Sequence, residues 1–134
     1  MTAPAAILAA VLFLAMAGFQ AVLAMGAPLG QHVLGGRHPS RLPPRIRIFS
    51  GIAAAVLAGG AVVVLARAAV IGWPTGMGGL LAPAAWLLAA FLALNTLGNL
   101  ASKSRLERTL FAATTATLAI LCAFVAFAGP GPGS

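Results

Sequence analysis

The chain has 134 residues, 61% of them hydrophobic and only 7% charged, with a formal net charge of +7. Soluble domains carry about a quarter charged residues, so this composition excludes one, and four membrane spans would leave no room for a soluble domain beside them. The positive charge does not point to nucleic acid, because the basic groups flank apolar stretches and no soluble scaffold presents them.

The first predicted span covers residues 5–25, about 30 Å of helix at ~1.5 Å per residue. Gly26 accepts the left-handed position after a helix and Pro28 cannot continue one, so the span stops there. Ala24-Met25-Gly26 is a passable cleavage site, but the span lacks a basic leader and cleavage would leave the four-arginine loop outside, so it reads as a retained span rather than a signal peptide. The second span covers residues 46–71. Pro43-Pro44 suits its first turn. Arg47 and Arg67 are twenty residues apart, which is about 30 Å of helix, so each is expected to snorkel to an opposite interface. Gly51, Ala55 and Gly59 form a small-xxx-small stripe, along which another helix is expected to approach closely.

Residues 72–82 form a short uncharged loop rich in glycine, and Trp73 and Trp86 are placed in the outer aromatic belt. The third span covers residues 83–101 and the fourth 105–128. Ser104-Arg-Leu-Glu107 has the form of a capping box: Ser104 accepts from the N–H of Glu107, and Glu107 reaches back to the N–H of Ser104. On that basis Glu107→Gln is expected to cost little. Residues 129–134 read as a disordered tail. A faint internal similarity pairs Phe19–Gly26 with Phe91–Gly98, which share Phe, Ala and Gly at one offset.

Seven of the eight basic residues fall in two of the gaps: Arg37, Arg41, Arg45 and Arg47 between the first two spans, and Lys103, Arg105 and Arg108 between the last two. Basic loops stay in the cytoplasm. The expected fold is therefore an all-α membrane protein, a single domain over residues 1–128. It has four transmembrane helices in two antiparallel hairpins, with both termini outside, in the plasma or inner membrane. Anionic lipid on the cytoplasmic leaflet is the expected partner, at about 1 kcal/mol per basic residue near the surface. The candidate headgroup contacts are His32, Arg37, His38, Arg41, Arg45, Arg47, Lys103, Arg105 and Arg108.

The polar residues within the spans form a second candidate site. Gln20 lies in the first span; Asn95 and Asn99 share a face of the third; Thr114 and Thr117 share a face of the fourth, with Thr115 on another face in line with Cys122. Asparagine finds no partner in hydrocarbon, so its face is expected to turn inward. Such a layer serves either as interhelical glue or as a small polar pocket open to the cytoplasm. The lack of intramembrane charge favours glue.

The loop over residues 26–38 is the most unusual segment. Residues 28–34 are expected to form an interfacial turn, with Leu29 and Val33 toward lipid and Gly35-Gly36 ending it. No metal site is expected, because His32 and His38 have no third ligand nearby, and no cofactor motif is present. One glutamate, two loop histidines and Cys122 supply no nucleophile–base pair or paired carboxylates, so an enzyme is not expected.

The Gly26-Ala-Pro-Leu-Gly30 turn, the Gly35-Gly-Arg-His38 segment and the stretch from Asn95 through Asn99 to Glu107-Arg108 resemble a group of small uncharacterised four-span membrane proteins of high-GC bacteria. That resemblance implies no activity. The small multidrug exporters, also four-span, depend on a glutamate in the first span, where this chain has Gln20. The expected function is that of a non-catalytic accessory or assembly subunit, alone as a homo-oligomer or with a membrane partner. It would act through helix packing and a basic cytoplasmic face. The alternative is a small oligomeric transporter or channel for a small or anionic solute.

Overall fold

The computed structural model describes residues 1–130. Every regular element among them is helical. The order is α1 (Thr2–Ala24), 3-10 turns at Gly30–His32 and Leu34–Gly36, α2 (Pro44–Arg67), a 3-10 turn at Gly78–Leu80, α3 (Leu81–Leu100), a π turn at Glu107–Phe111, and α4 (Ala112–Ala128). Taking the flanking turns with α3 and α4, four helices are long and apolar enough to cross a membrane: Thr2–Ala24, Pro44–Arg67, Gly78–Leu100 and Glu107–Ala128. Of the predicted tail, residues 131–134 lie outside the described residues.

α1 packs mainly on α2 and α3 mainly on α4, with α1 and α4 joining the two pairs. The core is built on helical spacing: Ala6, Ala9, Phe13 and Ala17 from α1, Leu57, Ala61 and Val64 from α2, and Leu118, Cys122 and Val125 from α4. Recurrence at three and four residues places each set on one helix face. Most of these side chains are small, so the backbones approach closely and dispersion contacts are dense. Phe13, fully buried, is the one large ring in the centre, and it lies on Gly60.

That contact corrects the predicted stripe. A Cβ at Gly60 would lie 2.8 Å from the Phe13 ring, whereas nothing lies within 4 Å of one at Gly59. Gly51, Ala55 and Gly59 are exposed. The rotation of α2 is set by burial of Leu57, Ala61 and Val64, whose face contains Gly60 and turns the predicted stripe outward.

The helix ends carry the arginines. α1 closes with the N–H of Gly26 on the Leu23 carbonyl and that of Ala27 on the Val22 carbonyl, with Gly26 at φ +98. This is a Schellman closure. α2 ends the same way, with the N–H of Ala69 on Ala66 and that of Val70 on Leu65, but here alanine holds the left-handed position at φ +60. The helix therefore stops at Arg67, short of the predicted residue 71. Arg47 and Arg67 do not simply snorkel. Arg47 Nε donates to the Ala24 carbonyl at 3.0 Å, and Arg67 Nη2 donates to the Ala126 carbonyl at 2.8 Å. A cation there satisfies an orphan carbonyl and complements the negative end of the helix dipole. The guanidinium groups lie over the glycine turns at Gly26 and Gly129, where a Cβ would come within 3.0 Å of each.

Candidate functional site

The site is at the end of the bundle that carries both basic loops, and its keystone is the only acidic residue. The loop backbone around residues 34–36 is left-handed, with φ +50 at Leu34, +73 at Gly35 and +76 at Gly36. This turns the N–H groups of Leu34 and Gly35 the same way, a concavity that binds anions. Glu107 fills it: its Oε2 accepts from Leu34 N–H at 3.0 Å and its Oε1 from Gly35 N–H at 2.9 Å. The Ser102 hydroxyl adds a third bond to Oε1 at 2.6 Å.

The predicted capping box is therefore half formed. Glu107 N–H does reach the Ser104 hydroxyl, at 3.4 Å. The return bond does not exist. Ser102 Oγ accepts from Ser104 N–H at 3.0 Å, which releases the carboxylate to cross to the other loop. A second strap runs the same way, from the buried Ser104 hydroxyl to the His32 carbonyl at 2.6 Å. Within the first loop, Gly30 N–H bonds the Ser40 carbonyl at 2.7 Å, and any Cβ on Gly30 would collide with that oxygen. These bonds fold the loop back over the bundle. Val33 is consequently buried with Leu23 and Leu42, and Leu29 packs against them, rather than facing lipid as predicted.

The polar residues of the spans divide into two groups. The tight cluster centres on Thr115, which is 1% exposed and was expected on a face away from the polar layer. Its hydroxyl meets Thr96 Oγ1 at 2.9 Å and accepts from Asn99 Nδ2 at 3.4 Å. Thr96 is a residue that sequence reading passed over. Asn95 is exposed and donates to its own helix, to the Phe91 carbonyl at 3.1 Å. Thr114 and Thr117 also bond their own helix, to Leu110 and Ala113. Thr117 is exposed, away from the others.

Beside this cluster lies an open cavity of about 620 Å³, bounded by all four helices. Gln20, Asn95, Asn99 and Thr114 line it together, with Leu12, Met16 and Phe49 as its apolar walls. Thr117 does not reach it. A second cleft, of about 850 Å³, lies between the first basic loop with Ile46 of α2 and the second half of α3, and shares Leu34, Ile46, Asn95, Asn99 and Glu107 with the first. Arg37, His38 and Lys103 line this cleft.

The nine predicted headgroup residues separate accordingly. Arg47 caps α1, and Arg108 Nη1 donates to the carbonyls of Ser102 and Lys103 at 3.2 and 2.9 Å, holding the turn between α3 and α4. Arg37, Arg41, Arg45, Lys103 and Arg105 are exposed. His32 is exposed with its ring 3.2 Å from Gln31 Nε2, and His38 is half-buried. Among the described residues, no three His, Cys, Asp or Glu side chains converge.

No protein-family model, curated protein or solved structure matches this chain.

Proposed function

We propose that the protein is a non-catalytic, multi-pass membrane subunit that works by binding, with its basic loops on the cytoplasmic side of the plasma or inner membrane. Two antiparallel hairpins would place both termini outside. The supporting charge pattern is seven basic residues in or beside the two loops at one end, against Arg67 at the other.

One observation carries the non-catalytic reading: the one acid and the one thiol are already used in holding the fold together. Both oxygens of Glu107 accept loop N–H groups, and Cys122 is fully buried in the core. Arg47 and Arg67 cap helices, and Arg108 holds the turn between α3 and α4. Surfaces remain for function. On α2, the exposed Gly51, Ala55 and Gly59 leave a shallow groove toward lipid, the shape against which a helix of another chain packs closely. An accessory or assembly role follows from that groove and the basic face.

A photo-crosslinking residue at Gly59 tests this, with the exposed Leu87 of α3 as control. The reading expects a discrete crosslinked membrane protein, or a second copy of the chain, from position 59 and none from position 87. The cavity supports a second reading, an oligomeric transporter or channel for a small or anionic solute. No adduct from position 59, together with solute uptake by the purified protein in liposomes, would replace the first reading with the second.

A further inference from the structure

We propose that the joined clefts between α2 and α3 hold one acidic phospholipid. Its phosphate sits at Arg37 and Lys103, its ester groups lie beside Asn95 and Asn99, and one hydrocarbon chain enters the cavity past Leu12 and Met16. This rests on the membrane reading above and is independent of the accessory role.

Three features of the cleft fit that occupant. The first is its order of polarity with depth. Asn99 lies one residue before the end of α3 at Leu100, and Asn95 lies four residues before Asn99, so about 6 Å deeper at ~1.5 Å per residue. Leu12 lies twelve residues before the end of α1 at Ala24, or about 18 Å deep. Cation, amide and hydrocarbon thus follow one another in the order of a phospholipid's phosphate, ester and chain.

The second feature is unused hydrogen-bonding capacity. Asn95 spends one N–H on Phe91, and Asn99 spends one on Thr115. Each amide has a second N–H, which hydrocarbon cannot satisfy and an ester carbonyl can. A plain alkyl chain at that level would leave these donors unpaired.

The third feature is charge. A lipid tail is as apolar in the bilayer as in the cavity, so the apolar walls give little preference for one lipid over another. Selectivity must come from the headgroup end, where Arg37, Lys103 and the half-buried His38 line the cleft. Glu107 also borders both clefts, but its carboxylate is engaged by two backbone N–H groups and the Ser102 hydroxyl, which answer its charge from the loop side.

The test uses the full chain in detergent, with phosphatidylglycerol and phosphatidylcholine of identical chains in competition, read by native mass spectrometry. The wild type should retain one phosphatidylglycerol per chain with a preference of about 30-fold, the discrimination two basic residues give at a lipid surface. Arg37→Gln with Lys103→Gln should bring the preference close to parity. Arg41→Gln with Arg45→Gln should leave it intact, because neither residue lines the cleft. Ala53→Phe, which fills the cavity wall, should lower lipid retention without altering thermal unfolding of the lipid-free protein. If Ala53→Phe fails to fold, the two charge variants decide alone. Equal retention of the two lipids by the wild type overturns the proposal. So does an equal loss in both charge variants, which would mean a diffuse basic surface, and so does displacement of the lipid by inorganic phosphate. Detergent removes sidedness and partner chains, so this result stands or falls separately from the orientation and the accessory role.

Discussion

Replacing Glu107 by glutamine separates two accounts of the same residue. A capping box tolerates glutamine well. A carboxylate clasped by the Leu34 and Gly35 N–H groups and by the Ser102 hydroxyl does not. Glutamine keeps one acceptor oxygen and presents an NH₂ where the second oxygen was, so one backbone donor would face another donor. The three bonds are 3.0, 2.9 and 2.6 Å long, and the two to Oε1 are partly buried. Hydrogen bonds to charged groups contribute about 1.5–3 kcal/mol each when buried, and water can replace the exposed Leu34 end, so a net loss of about 2 kcal/mol is expected. The loss is local, because the straps join loops and the helix core does not depend on them. Amide hydrogen exchange in detergent therefore gives the direct reading. Glu107→Gln should speed exchange at Leu34 and Gly35 by about 30-fold, at 1.4 kcal/mol per tenfold, and leave the centres of α1 and α4 protected. Unchanged exchange at both amides would refute the clasp and restore the simple helix cap.

Adjacent glycines on α2 should respond with opposite sign. Gly59→Ala should raise the thermal unfolding temperature, since it adds helix propensity of up to about 1 kcal/mol in open space. Gly60→Ala should lower it, because displacing the buried Phe13 ring costs about 1–3 kcal/mol. Ala69→Gly should stabilise by roughly 1 kcal/mol in the same assay, by relieving a left-handed alanine. Thr115→Val should cost about 1 kcal/mol through the lost bonds to Thr96 and Asn99, whereas Asn95→Leu, at a residue bonded only to its own helix, should leave unfolding unchanged. A costlier Asn95→Leu than Thr115→Val would contradict the assignment of Thr115 as the centre of the cluster.

The helices were legible in the sequence because apolar length, proline and glycine act locally. Gly26 stops α1 for the reason its sequence position suggests. The rotation of a helix about its axis was less legible. In an alanine-rich span many faces look alike, and only the packing of Phe13 on Gly60 shows which is inside. The rotation of α4, equally hidden in the sequence, brings Thr115 to the centre and leaves Thr117 outside. Helix-end arginines and the Glu107 clasp were not legible, because each bond joins residues far apart in the chain: Arg67 to Ala126, Arg47 to Ala24, Glu107 to Leu34. A signal for the clasp was nonetheless present: one acid in the chain, and a Gly35-Gly36 pair able to turn N–H groups toward it. The similarity between Phe19–Gly26 and Phe91–Gly98 has no common structural role, since Gly26 ends a helix in a left-handed conformation and Gly98 lies inside α3.

The proposal that both basic loops face the cytoplasm is tested most directly by single cysteines in a Cys122→Ala background. Ser40 and Thr75 are exposed in loops at opposite ends of the bundle. With a membrane-impermeant maleimide on intact cells, cysteine at position 75 should label at once, and cysteine at position 40 only after permeabilisation. Labelling of position 40 from outside, with position 75 protected, would invert the orientation and contradict the account.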